Sequence, residues 1–572
     1  MKRNLFLLTL LGVVLFLVPS CGKKGGSTGL LVPDDAAIVV HINNASLSSK
    51  LSWAEIQQSN WYRELSKEAK DSTAQQLLSD PAVSGVDAKS DFVFFIKKQG
   101  KGSYLVIEGS LKDASAFEAF VKNNSKEFQP VKNGDITSLA TTHDGVVSWN
   151  KSHFVYVADV PLPDMGSGFG KRSYGDDGEM KTHKFSADSL TYFGKETLTM
   201  SKDNMLDKDS RFASLVKDGS DIHLWMNSGE YYQSMMGPMM SMMGDMAALI
   251  KDNISAVSMN FDNGKITMDS KQYYGSKLNA LFSKYQSKPV SADMVNRIPS
   301  QNIVGAFAMN YPPEGIKEFL KITNLEGMVN MVLSQTGYSV DEFIKANKGD
   351  MVVAVTDLEI KSKSDTLDMG NAQPYISSSR KPDMKVLFAT AVNDKAAFEK
   401  LITLLWQQTK NSPMANTGIT YKLENNWFAA GNSPEQVSQF LAGGNTKSPV
   451  ADKLSGHPIS FFIDIQKILQ VAAADQKGDS AEAAVFDASL KTWQDVHAFG
   501  GEFKDKAFTF HAEVNLVDKS TNSLKQLNAY LDKVYMSMHD RKKSLDDMAG
   551  YPDSDTTTGR TDMKIEDIKT YK

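Results

Sequence analysis

The sequence predicts an α+β protein, with antiparallel sheets and packed helices, internally duplicated. Three observations predict it. Short apolar runs bounded by Pro, Gly, Asn and Asp recur along the chain and read as strands. Amphipathic stretches with a period of 3.6 lie between them and read as helices. The same order of strand, turn and helix occurs twice, at long period.

The elements follow in chain order. Lys2 and Arg3 precede an apolar run, Leu5 to Val18, broken only by Thr9 and Gly12, and then Pro19-Ser20-Cys21. A basic start, an apolar middle and a small-residue end make an export leader. The run is short for a permanent bilayer span. Cys21 is the only cysteine in 572 residues and stands where cleavage leaves it first. Residues 1–20 therefore read as a lipoprotein signal peptide and Cys21 as the lipidation site. Acyl chains on it would anchor the chain, each buried CH₂ adding about 0.8 kcal/mol. Residues 21–29, with Gly22-Lys23-Lys24-Gly25-Gly26, read as a flexible tether. No disulfide can form within the mature chain, so its fold rests on packed cores. The length calls for more than one of these.

The first half is expected over 30–295 and the second over 296–540. Val32-Pro33-Asp34-Asp35-Ala36 opens one strand and Ile298-Pro299-Ser300-Gln301-Asn302 opens its counterpart. Tyr104 to Asp113 and Lys385 to Asp394 are each a strand ending in an aspartate. A helix follows with Phe-Glu at the same place, Phe117-Glu118 and Phe398-Glu399. Such an aspartate caps the helix by accepting orphan N–H groups. Gly145 to Val157 corresponds to Gly418 to Ala430, and Ile222 to Met226 corresponds to Ile459 to Ile463. The hairpin Phe261 to Met268, with the turn signal Asp262-Asn263-Gly264, corresponds to Phe503 to Phe510. Phe92 to Ile96 and Met351 to Val355 read as the buried strands. Pro161 to Ser189 and Glu359 to Asp383 are polar and read as inserts. Residues 541–572 read as a polar, disordered tail.

The lipobox at Cys21, the opening Val32 to Ala36 with its following strand, and the segment Leu111 to Phe117, repeated at Val392 to Phe398, resemble the DUF4836 family of Bacteroidota lipoproteins. That family has no established activity, so the resemblance assigns no catalytic residue. It also implies a place on the periplasmic side of the outer membrane. Surface-bound lipoproteins of that phylum carry acidic residues just after the cysteine, and Lys23 and Lys24 stand there instead.

The search for chemistry is mostly negative. No phosphate loop, nucleophile elbow or His-Glu-x-x-His motif occurs, no catalytic residue is assigned, and no cofactor or metal is implied. His41, His223, His497 and His511 fall in strand-like segments, where a sheet-surface or core-edge role is expected. His143 and His153 flank a hairpin and could approach each other. Asp176-Asp177-Gly178-Glu179 reads as a solvated acidic turn. The net charge of −5 carries no basic stripe, which excludes nucleic acid as a partner. The oddest feature is a methionine cluster: Met235, Met236, Met239, Met240, Met242, Met243 and Met246. Thioethers suit Cu(I), but flexible Met also suits irregular apolar contacts. The cluster reads as an apolar contact surface.

The leading functional reading is a non-enzymatic binding or structural protein of the envelope, anchored to the membrane by its N-terminal lipid. Its partner would be an envelope protein, glycan or lipid. A hydrolase acting on envelope glycan or lipid, and a periplasmic lipid carrier, stay open beside it.

Overall fold

The structure is a computed structural model. It describes residues 29–548 apart from 69–79, 101, 125–128, 142–144, 161–183, 232–248, 368–374, 410–417, 445–446 and 474–479.

Ten strands come first: β1 (Ile38–Ile42), β2 (Phe92–Gln99), β3 (Gly102–Ser110), β4 (Val131–Asn133), β5 (Ile136–Ala140), β6 (Gly145–Trp149), β7 (His153–Asp159), β8 (Ile222–Asn227), β9 (Ile254–Asp262) and β10 (Lys265–Tyr273). Eight follow: β11 (Ile303–Asn310), β12 (Asn347–Leu367), β13 (Tyr375–Val392), β14 (Thr420–Glu424), β15 (Trp427–Gly431), β16 (Ile459–Asp464), β17 (Trp493–Lys504) and β18 (Ala507–Leu516). Among the described residues they form one antiparallel sheet of 18 strands. The sequence leads one to expect separate sheets. They join because β10 pairs with β18, from Lys265↔Asn515 to Tyr273↔Ala507. Outward from β10 the neighbours are β9, β8, β1, β2, β3, β7, β6, β5 and β4. Outward from β18 they are β17, β16, β11, β12, β13, β15 and β14.

The turns have the chemistry their conformations require. Gly264 takes φ +69° between β9 and β10, a region that a side chain disfavours. Between β14 and β15, Asn425 and Asn426 sit at φ +49° and +62°, and asparagine tolerates this better than most residues. The expected caps form. Asp113 Oδ1 accepts from the N–H groups of Ser115 and Ala116, and Asp394 Oδ1 accepts from that of Ala397.

Helices cover both faces of the sheet. On one face Val39, Val93, Phe95, Val106 and Trp225 pack with Leu190, Phe193 and Phe212 from the helices Ala187–Leu198 and Ser210–Val216. On the other, Ile42, Phe92, Phe94 and Ile107 pack with Leu47, Phe117 and Val121 from the helices Asn44–Lys50 and Ala114–Asn124. In the second half Val352, Ala354, Leu387 and Ala389 join the core of Phe440 and Leu441, while Phe388 turns to the opposite face with Phe398. Strand alternation produces this division.

Three expectations change. Glu359 to Asp383 is not a simple insert: β12 and β13 continue through it as a two-stranded ribbon, paired from Glu359↔Asp383 to Leu367↔Tyr375. Its polar composition hides it, because its Ser and Lys residues give no apolar alternation to read. The loop expected at Pro161 to Ser189 ends early, since a helix begins at Ala187. The boundary at 540 falls inside the helix Ser523–Met548, so 541–548 are helical. That helix returns to the start of the fold. Asp532 Oδ1 accepts from Trp61 N–H (2.9 Å), Asn528 Oδ1 accepts from Trp61 Nε1 (3.0 Å), and Lys525 pairs with Glu55 (2.6 Å).

Candidate functional site

The middle of the sheet is its least covered part. On the face that carries Phe92 and Ile42, one cross-strand row runs Phe92, Ile42, Ile222, Met259, Met268, Ala512, Ala498, Phe461, Phe307, Val353, Phe388, Ala430, Tyr421. It crosses 13 strands without a polar residue, as those pairings show. The Phe92 and Ile42 end is packed under helices. The middle is not: Met268 is 37 % exposed, and Phe461, Phe307 and Val353 are half-buried. Leu224 and Val386, near this row on the same face, are each 36 % exposed. Met351 to Val355, expected to be wholly buried, therefore alternates. Val352 and Ala354 are buried on the covered face, while Met351, Val353 and Val355 stay half-open. An open apolar surface of this kind marks a site of interaction.

The opposite face carries polar groups at the neighbouring level. The row there reads Glu108, Val93, His41, His223, Ser258, Asp269, His511, Phe499, Ser460, Ala308. His41 and His223 were expected at a sheet surface or core edge, but both are buried. They touch each other through Nδ1 atoms 2.9 Å apart. The signal was weak because they lie 182 positions apart. Glu108, also buried, holds the half-open His153 at 3.0 Å. His143 lies outside the described residues. His511 bridges Asp269 (2.8 Å) and Glu513 (3.2 Å). Burial lowers its basicity, but hydrogen bonds to the two carboxylates outweigh that and raise its pKa. His497, whose Nε2 lies 2.6 Å from the Lys453 carbonyl, is shifted down by burial.

A polar cleft of about 720 Å³ opens at the far end of β8 and β9, lined by Asp34, Asp209, Arg211, Asn227, Lys251, Asp252, Tyr274, Asn279 and Lys506 among others. Arg211 organises it. Its guanidinium lies between the rings of Trp225 (5.6 Å) and Tyr273 (5.2 Å), a cation–π arrangement. It also holds Asp209 at 2.5 Å. Burial raises Asp209, yet the hydrogen bond from Arg211 prevails and holds the carboxyl below the usual range. Asp209 is thus locked as an ion and poorly suited to proton transfer. Asn279 Oδ1 is buried there with no protein donor.

Cys21, all seven methionines Met235, Met236, Met239, Met240, Met242, Met243 and Met246, and Asp176 to Glu179 lie outside the described residues. Among the described residues, no helix is long and apolar enough to cross a membrane. No group of three or more His, Cys, Asp or Glu side chains among them is placed to hold a metal ion.

Residues 29–161 match the model of a domain of unknown function, DUF4836. The matched segment contains β1 to β7 and both motifs of the first half that resemble the family, Val32 to Ala36 and Leu111 to Phe117. No curated protein matches the chain. Two solved structures are similar to part of it. Crystal form IV of TP0453 is 9 % identical over 46 % of this chain and 85 % of its own, with a TM-score of 0.24. Crystal form I of TP0453 is 8 % identical over 47 % of this chain and 88 % of its own, again with a TM-score of 0.24.

Proposed function

We propose that this chain is a non-enzymatic binding or structural protein of the cell envelope, and that its partner docks on the open apolar middle of the sheet. The observation that carries this reading is the 13-strand apolar row, dry at its Phe92 end and open around Met268. A globular protein buries such a surface unless something else covers it. The polar groups support the same reading. Asp209, Asp269, Glu108 and Asp218 are each tied to a cation or histidine partner. Such pairs position the chain more readily than they transform a substrate.

The proposed setting is the periplasmic side of the outer membrane, with lipid on Cys21. Its support is the leader, the isolation of Cys21 and the lack of acidic residues after it. The proposed organisation is a duplication over about 30–295 and 296–540. Its support is the shared order of sequence segments and the matching order of strands on the two sides of β10–β18.

The test is a Met268→Glu/Phe461→Glu double substitution in the full chain, purified from detergent-solubilised envelope. Mass spectrometry of co-purified protein and lipid reads the outcome. The wild type should carry a partner that the variant loses, with circular dichroism unchanged. Equal recovery of the same partner by a folded variant would remove the apolar row from the reading.

A further inference from the structure

We propose that His41 and His223 together hold one proton between their Nδ1 atoms, and that its loss unlocks the joint between β1 and β8. This pair works whatever docks on the sheet.

The geometry is a four-member chain. Asp91 Oδ2 lies 3.1 Å from His41 Nε2, the two Nδ1 atoms are 2.9 Å apart, and His223 Nε2 lies 2.7 Å from Asp218 Oδ1. The rings are only 2 % and 1 % exposed, so water is excluded from the junction. An ionised carboxylate only accepts, so each Nε2 carries a hydrogen. Both Nδ1 atoms would then present lone pairs to each other at a hydrogen-bond distance. One further hydrogen between them satisfies the chain. The pair then carries three protons on four ring nitrogens, one imidazolium and one neutral imidazole. A fourth proton sets two donors face to face. With only two, either the lone pairs clash or one carboxylate loses its donor. With both aspartates ionised, the satisfied chain has a net charge of −1.

The neighbouring charges are already matched. Asp221 is held by Lys50 (2.5 Å). Beyond Val93, Glu108 holds His153, and beyond Ser258, Asp269 holds His511. Asp218 supports the count. Burial pushes it up, but hydrogen bonds from His223 and Ser220 outweigh that and hold it at about 2, hence ionised.

The sheet itself supplies a control. Counted outward from the β10–β18 junction at the same level, the counterparts of His223 and His41 are Ser460 and Ala308, both buried. Strand pairing closes there with two small side chains. The histidines and their two aspartates are therefore an addition that the fold does not require. They also sit where it matters. Strands β1 to β7 reach the rest of the sheet through the pairing of β1 with β8. When the proton leaves, the rings must part, or one must turn and release its aspartate. The turns carrying Asp91 and Asp218 are the pieces free to follow.

The experiment uses the full chain labelled with ¹⁵N-histidine and followed by NMR across pH. The wild type should show one far-downfield proton correlated with nitrogens of two different histidines. It should disappear in a single one-proton step, together with faster amide exchange in β1 and β8. The His41→Ala/His223→Ser variant, which copies the other half, should fold and lack both the signal and the step. If that variant fails to fold, His41→Gln must still abolish the signal. Two independent histidine titrations in the wild type, with no shared proton, would overturn the proposal. So would stoichiometric Zn²⁺ in the purified wild type that both variants lack, since the Nδ1 atoms would then be metal ligands.

Discussion

Lys50→Met tests how the first half is held together. The Asp221 carboxylate is fully buried and accepts from Lys50 Nζ (2.5 Å), Ser46 Oγ (2.6 Å) and the Phe261 N–H (2.6 Å). It thereby ties the helix Asn44–Lys50 to the start of β8 and the end of β9. Methionine keeps the length and apolar stem of lysine but leaves the carboxylate without its counter-charge. Removing one partner of a buried pair costs about 3–5 kcal/mol. Two donors remain and Lys50 is 21 % exposed, so the lower end applies, about 3 kcal/mol. Adding Asp221→Asn removes the unpaired charge, and the double variant should recover part of the loss. A coupling of about 2 kcal/mol is expected, within the range for residues in one network. Urea unfolding followed by tryptophan fluorescence reads this directly, because the buried Trp225 lies on β8. A loss below about 1 kcal/mol is the size of a surface pair. That result would show the carboxylate to be hydrated and the reasoning wrong.

Three further outcomes follow from named contacts. The pKa of His511 is raised in the folded chain, so its contribution is full below the unfolded histidine value and is lost as pH rises through the folded one. His511→Ala should flatten the alkaline side of a Tm-against-pH profile while leaving mildly acid values lower than wild type. On the acid side, Glu55 is held at about 2, chiefly by hydrogen bonding to Lys525, and its contribution should fade from about pH 4 down to 2. Glu55→Gln should lower Tm above about pH 4, where the contribution is full, and leave a shallower acid slope that meets the wild type near pH 2. A Cβ on Gly264 would lie 2.5 Å from Lys519 Cα at φ +69°, so Gly264→Ala should cost about 1–3 kcal/mol, read as a lower urea midpoint.

Much of the fold was visible in residue pattern. The strands containing Ile38, Phe92, Ile222 and Phe261 are short apolar runs between turn residues, and local backbone preference is enough to place them. Asp113 and Asp394 announced their helices because capping acts over three residues. Pairing between distant strands was not visible. Nothing local to Lys265–Tyr273 tells that it will lie beside Ala507–Leu516. The open apolar row was hidden for a related reason. Phe307, Phe461 and Met268 look like core residues in one dimension, and only the arrangement of covering helices leaves them half-open. The histidine chain combines both difficulties, with members at positions 41, 91, 218 and 223. The ribbon after Glu359 was missed because its Ser and Lys residues give no apolar alternation.

The junction of β10 with β18 gives the proposed duplication a physical consequence. The segment match that carries Phe261 onto Phe503 carries Asp269 onto His511, and these two residues pair directly across the junction. A local two-fold axis would pass between them. In a symmetric dimer each residue on such an axis meets its own copy. Two aspartates or two histidines would then face each other, and like charges directly opposite are destabilising. Within a single chain the two sides can differ, and here they do, as an Asp269–His511 pair at 2.8 Å. Away from the axis the same ladder carries a second charge pair, with Lys265 reaching Glu513 at 2.6 Å. Joining the halves covalently thus permits a complementary pair on the axis itself, the one place where identical subunits would set a residue against its own copy. The same asymmetry lets His41 and His223 stand in one half while Ala308 and Ser460 keep the other simple. The first side carries the buried histidine chain. The other extends β12 and β13 into a ribbon, so specialisation on each side leaves the continuous sheet intact.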